Sequence, residues 1–380
     1  MPSTHARGKA AARGGLLATA LLAAVAVCTT TGCATAGYYA RSVVGHLEIL
    51  QAARPVPQVL DDPATSAALR QRLVLTQQMR DFAVRELGEP DNASYRRYAD
   101  LHRPAAVWNV VAAPELSLVP KTWCFWIVGC VGYRGYYDEG RADALAAELK
   151  KSGLDVVVYP VPAYSTLGRL PRGSFFADPL LNTFVGYPEG ELARLIFHEL
   201  AHQVAFAPGD TQFNESFASA VEKIGGERWL AAHASAEARA EAERSQARRA
   251  DFRALTGHTR DALARLYASD QSDEAKRAGK AALLSSLRAD YAAMKAERWH
   301  GYAGYDAWFE RANNAAFGVL ASYTGLVPTF ERVFDRNGHD FARFYDEVRR
   351  IAVLPATERK AALVAAAGPS APASGGEGGR

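Results

Sequence analysis

No G-x-S-x-G occurs in the 380 residues, which removes the nucleophile elbow of the serine hydrolases. Cysteine is scarce, four in all. Beyond the N-terminal stretch, Cys124 and Cys130 form a C-x5-C pair that nothing nearby completes, so it makes a poor zinc site. The same two thiols are better read as a pair than as a nucleophile. An excess of charge is missing too. Lys and Arg number 44 against 41 Asp and Glu, and Arg7, Lys9 and Arg13 make the whole difference, leaving 41 against 41 from residue 33 onward. With no long basic cluster carrying interleaved aromatics, nucleic acid is excluded as a partner. The apolar stretch Leu16 to Val27 is too short to span a bilayer as a stable helix.

What is present is His198-Glu199-Leu200-Ala201-His202. A spacing of four puts both imidazoles on one helical face, about 5 to 6 Å apart at Cβ, where they can hold two corners of a Zn²⁺ tetrahedron. Glu199 projects beside them as general base toward a metal-activated water. Leu192, Leu195, Ile196 and Leu200 give the segment an apolar stripe, so the helix can be buried and its ligands held rigidly. The bland alternative is a core histidine pair beside a solvated glutamate.

A catalytic zinc needs a third protein ligand and an open fourth position. Glu215 is the candidate, at the start of a helical pattern that runs to Leu230. The loop Ala207 to Gln212 can reverse the chain so that the two helices pack antiparallel, and Asp210 in that loop is the alternative ligand. A third histidine of the metzincin kind is excluded, because Pro208 stands at that position. Ser219 occupies the place of the aspartate that orients a zinc histidine in thermolysin-like NExxxD motifs, so some other acceptor is needed for His198, with Glu222 as a candidate. A phenol hydroxyl for the transition state is sought in the C-terminal aromatic region, at Tyr323 or Tyr305. A carboxylate to pair a substrate's free ammonium is sought at Glu115.

The ends read differently from the body. Residues 1–32 carry a positive n-region and an apolar core, as a secretion signal does. Thr30-Thr31-Gly32-Cys33 resembles a bacterial lipobox, which implies lipidation of Cys33; Ala34 in place of aspartate then implies the outer membrane of a diderm bacterium, facing the periplasm. In that oxidising compartment Cys124 and Cys130 can form a disulfide, the alternative being two buried thiols. The body, 33–367, is expected to form one large domain, and the tail 368–380 is small, polar and expected to be disordered.

Within the body, helices are expected at 37–53 and 64–88, separated by Pro55, Pro57 and Pro63. Strands follow at Val107 to Val111, Trp123 to Tyr133 and Leu154 to Val161, with a helix from Glu139 to Ser152 capped by Asp138 and closed by Gly153. Residues 231–298 shift to Ala, Arg, Glu and Leu, as a helical arm interrupted near Thr256 to His258 and Asp270 to Asp273. The fold class is therefore α+β: a zincin-like arrangement with a small mixed sheet, an active-site helix and a largely helical C-terminal half.

Several segments in order, GCATAGYYARSVVGHLEIL, SYRRYADL, VWNVVAAPELSL, TWCFWIVGCVGYRGY, AYSTLG, DPLLNTF, ELARLIFHELAHQ and FNESFA, resemble a family of bacterial predicted zinc aminopeptidases. The likeness covers nearly all of the chain beyond the signal. Where the family runs AYSTLG almost directly into the Asp-Pro segment, Arg169 to Phe176 stands here as a partial insertion. The resemblance implies one zinc, a peptide substrate and exopeptidase action, with a lipid anchor in the membrane. A periplasmic zinc endopeptidase and a non-catalytic zinc-binding lipoprotein scaffold are the competing functions.

Overall fold

The computed structural model describes residues 37–125, 129–163 and 177–369, apart from the side chains of 321–324. The expected signal segment, Cys33, most of AYSTLG, the insertion at 169–176, the tail from 370 and the Tyr323 side chain lie outside the described residues. The chain divides into two units, one up to Gln51 and one from Ala52 onward. Helix α1 (37–52) accounts for what is described of the first.

The second unit begins with β1 (Arg54–Pro55) and α2 (Val56–Asp61). A helix forms inside the expected proline break because Pro57 falls in its first turn, where the missing N–H is not needed. Helix α3 (Ala67–Leu87) starts at Ser66, whose hydroxyl accepts from the Leu69 N–H, and ends at Gly88 with φ +64°. Then come β2 (Arg97–Ala99), β3 (Val107–Pro114), β4 (Trp123–Phe125), β5 (Gly129–Val131), β6 (Arg134–Tyr136), α4 (Glu139–Lys151), β7 (Leu154–Val161) and β8 (Leu180–Leu181). Two three-stranded sheets result. One is mixed, with β2 antiparallel to β1 and parallel to β8; the other has the order β6-β3-β7, antiparallel throughout.

The β6-β3-β7 sheet is covered on both faces, which explains the apolar run of β3. Trp108, Val110, Ala112 and Val156 pack on Ala142 and Ala146 of α4, while Val111, Ala113 and Val157 pack on Ala315 and Ala316 of α10 (Asn314–Thr324). Helix α4 has the expected caps, Asp138 accepting from the Arg141 N–H and Gly153 at φ +78°. The expected single strand from Trp123 to Tyr133 is instead a hairpin. Cys124 faces Cys130 across β4 and β5 and is disulfide-bonded to it, with Cα atoms 3.8 Å apart. A continuous strand would hold these residues about 20 Å apart, so strand and disulfide exclude each other.

Helices α5 (Glu189–Val204) and α6 (Thr211–His233) form the centre of the unit and pack along each other. Mid-helix Gly226 permits this approach: a Cβ there would lie 2.7 Å from Arg194 Cγ. The outer face of α6 is aromatic. Phe213 and Phe217 pack on Phe330 of α11 (Val327–Arg336), and Phe217 also on Phe344 of α12 (Phe341–Ala352). Helix α13 (Ala356–Ala367) closes the chain.

The expected arm is α7 (Ala236–Ala268) and α8 (Asp273–Glu297), packed on each other. It breaks once, near Ser269 to Ser272, and α7 runs straight through Thr256 to His258. Thr256 and Thr259 bond back to the carbonyls of Phe252 and Leu255 at 2.7 and 3.2 Å, so these polar side chains are satisfied inside the helix. The arm is not a bare solvated hairpin. Phe252, Leu263, Leu284, Leu287 and Tyr291 share a core with Trp299, with Phe309 of α9 (Asp306–Glu310) and with Phe317 of α10.

Candidate metal centre

Burial of Leu192, Ala193, Ile196, Phe197, Leu200 and Ala201 fixes the rotation of α5 and leaves Arg194, His198 and His202 as one row at four-residue spacing. Glu215 and Glu222 make a matching row on α6, two turns apart. The turn between the helices is clamped by Asn214, whose amide accepts from the Ala207 N–H at 2.7 Å and donates to the Ala207 carbonyl at 2.9 Å. Asp210 caps α6 through the Phe213 N–H and pairs with Arg359 at 2.7 Å, so this alternative ligand is occupied elsewhere. The β4-β5 hairpin rests on the same turn, where Gly129 and Gly209 both have φ +77°. A Cβ on Gly129 would stand 2.9 Å from the Gly209 backbone.

This arrangement brings His198, His202 and Glu215 together, with one ligand atom from each lying within 4.8 Å of the others. Glu215 Oε2 is 3.3 Å from His198 Nε2 and 3.8 Å from His202 Nε2. A zinc tetrahedron with bonds near 2.0 to 2.1 Å has edges of about 3.3 Å, so the donor set fits such an ion in both atom type and spacing. The imidazoles are nearly perpendicular, at 86°, with centroids 4.9 Å apart.

The other nitrogen of His198 faces Glu222, Nδ1 to Oε2 at 2.9 Å, and the other oxygen of Glu222 accepts from Arg194 at 2.6 Å. His198 is thus held by a carboxylate that is itself held by a guanidinium. His202 has no such support: its Nδ1 is buried with no hydrogen-bond partner among the described residues.

The electrostatics of the metal-free protein follow from this geometry. Burial alone would lower the pKa of His198, but Glu215 and Glu222 on its two nitrogens hold it well above the ordinary value. Burial brings His202 down to about 4, with Glu215 opposing and His198 assisting. Against the raising effect of burial, the histidines hold Glu215 down, while Arg194 and His198 bring Glu222 to about 2. Glu199 goes the other way. Burial lifts it to about 7, with Glu215, Asp178 and Glu222 adding to the rise against the pull of His198. Without a metal ion this half-buried carboxyl lies near neutrality, where a carboxyl can both accept and release a proton.

Other expected positions fall elsewhere. Glu115 follows β3 and is exposed, its carboxylate taken by Arg277 of α8 at 2.8 Å. The structure does not bring it to the triad. Tyr305 is stacked on Phe252 in the core of the arm, at 4.7 Å between centroids. Arg194 and the Asn214 clamp were not anticipated as parts of the site. A signal for Arg194 existed, since a lone cation on an apolar helix face one turn before His198 marks the row that Glu222 must meet.

A histidine pair, a glutamate ligand and a near-neutral half-buried carboxyl make this a candidate metal-dependent hydrolase centre. The chain belongs to the family described as "Putative aminopeptidase", whose model matches residues 37–363. That match supports a peptidase function and therefore a peptide substrate. No curated protein and no solved structure matches the chain.

Proposed function

We propose that this protein is a zinc-dependent aminopeptidase, with His198, His202 and Glu215 as metal ligands and Glu199 as general base. The observation that carries this reading is geometric: one ligand atom from each of His198, His202 and Glu215 lies within 4.8 Å of the others, and both histidines share the helix that carries Glu199. Bound zinc would polarise a peptide carbonyl and lower the pKa of its water ligand to about 7. Glu199 accepts the proton of the attacking water and gives it to the amine nitrogen as the C–N bond breaks. With zinc bound, Glu222 would accept from His198 Nδ1 and leave Nε2 as the nitrogen available to the ion.

The reading extends to location: export, lipid attachment at Cys33 and residence on the periplasmic side of an outer membrane. A disulfide joining Cys124 and Cys130 fits an oxidising compartment. Substituting Cys33→Ser should release the protein from the membrane fraction, and retention there would contradict the anchor.

Exopeptidase action is tested with matched peptides bearing free or acetylated N-termini. Cleavage of the free peptides alone, abolished by a chelator, is the expected result. Equal cleavage of both would make the protein an endopeptidase. A zinc-loaded protein that cleaves neither would contradict the reading altogether.

A further inference from the structure

The C-terminal aromatic region was expected to supply a phenol for the transition state at Tyr323 or Tyr305; the Tyr323 side chain lies outside the described residues, and Tyr305 is committed to the core of the arm. A different tyrosine is placed for that work. Tyr159 lies on β7 and Asn109 on β3, directly paired in the ladder. Paired strand residues project from the same face of a sheet. Here that face is the one covered by α10, because Tyr159 packs with Val111, Val157, Ala315 and Ala316. Helix α10 in turn packs on α6, which carries Glu215. The sheet face bearing Tyr159 is thus joined to the metal centre through one helix.

The hydrogen bonding of the phenol is one-sided. Asn109, itself buried, donates its Nδ2–H to Tyr159 Oη at 3.3 Å. That bond occupies an acceptor lone pair and leaves the O–H hydrogen without an acceptor among the described residues. β7 cannot drift, because it is paired with β3 along one edge. On its other edge the Val156 and Val158 carbonyls accept from Asn313 at 3.1 Å and Arg311 at 3.0 Å. Tyr159 is half-buried, so the ring is rigidly held without being sealed from solvent. Burial raises its pKa to about 12, with Asn109 opposing and the carboxylate of Glu215 adding to the rise. The phenol therefore keeps its proton at neutral pH, and it lies within the electrostatic reach of a metal ligand.

We propose that Tyr159 is the residue that stabilises the transition state of peptide hydrolysis, donating its O–H to the carbonyl oxygen of the scissile bond, with Asn109 as its positioning residue. The proposal rests on the peptidase reading above. As the water oxygen bonds to the carbonyl carbon, the π pair moves onto the carbonyl oxygen and the water proton passes to Glu199. The Tyr159 hydrogen bond strengthens with that developing charge and weakens again when the C–N bond breaks, the C=O re-forms and the nitrogen takes the proton from Glu199. An uncommitted donor suits this role, because no bond has to be given up before the oxyanion forms.

Tyr159→Phe removes one oxygen and keeps the ring packing, so folding and zinc content should match the unsubstituted chain. The expected result is a fall in kcat of about 10²- to 10³-fold with KM nearly unchanged, the pattern of a lost oxyanion donor. Calorimetry with a phosphinate pseudopeptide, whose tetrahedral oxygens resemble the addition product, supplies a readout without turnover. Its affinity for Tyr159→Phe should fall at least about tenfold, as a transition-state contact requires. Asn109→Ala should show the same split at smaller amplitude, and a thermal melt separates this from loss of fold. Wild-type kcat and phosphinate affinity in a zinc-loaded Tyr159→Phe would overturn the assignment while leaving the peptidase reading intact. A zinc-loaded wild-type protein that neither cleaves peptides nor binds the phosphinate would overturn that reading, and this assignment with it.

Discussion

Two half-buried carboxylates that both interact with His198 have opposite fates. Toward α6, Glu222 has a guanidinium on one oxygen and an imidazole on the other, and its pKa falls to about 2. On its own helix, Glu199 has neither, and burial among like charges lifts it to about 7. Residue type and burial are the same, so partners alone decide which carboxyl is a permanent anion and which can carry a proton. One carboxyl is built to stay fixed, the other to react.

The strongest way to break this contrast is to remove the proton carrier. Glu199→Gln should retain zinc and lose about 10²- to 10⁴-fold in turnover; a folded variant with wild-type turnover would reject the assignment. Next is the fixed side. Glu222→Ala should weaken zinc affinity about 10- to 100-fold by freeing the His198 ring, measurable by competition with a chelator. Zinc affinity should also depend on pH with a definite sign. The pKa of His198 is raised in the metal-free chain, so below it zinc must displace a proton and the apparent affinity should fall as pH falls. Calorimetry in buffers of different ionisation enthalpy would detect that released proton.

Smaller effects sharpen the comparison by reaching the site indirectly or not at all. Gly226→Ala would press on the stem of Arg194, 2.7 Å from the new Cβ, and overpacking of this kind costs about 1 to 3 kcal/mol. It should lower both the melting temperature and zinc affinity. Gly257→Ala is the control in α7, where a Cβ meets nothing within 4 Å. There the change should stabilise by about 0.5 to 1 kcal/mol, read by melting, with zinc affinity unmoved.

What was legible in the sequence was local. Helix α4 could be bounded to within a residue because Asp138 and Gly153 are cap signals carried by the helix itself. The HExxH pair and the Asn-Glu that follows were legible because a four-residue spacing is already a geometry, and the site adds only a turn to join them. Pairings across the fold were not. In TWCFWIVGCVGY no turn residue precedes Gly129, so the hairpin reads as one strand even beside an expected disulfide, and only the pairing of β4 with β5 corrects it. Thr256-Gly257-His258 reads as a break, yet both nearby threonines find acceptors one turn back. Tyr159 sits in the apolar run Leu154–Val161 as an ordinary core aromatic. Only the strand register, which is non-local, sets it against Asn109.

The central claim is that one zinc, held by His198, His202 and Glu215, turns a buried histidine pair into a peptidase centre. Its most direct test is to strip the full chain of metal with a chelator and titrate zinc back while following both bound metal and cleavage of a peptide with a free N-terminus. The account predicts that cleavage disappears on stripping and returns in proportion to zinc, saturating at one ion per chain. Cleavage that persists in the stripped protein would contradict it.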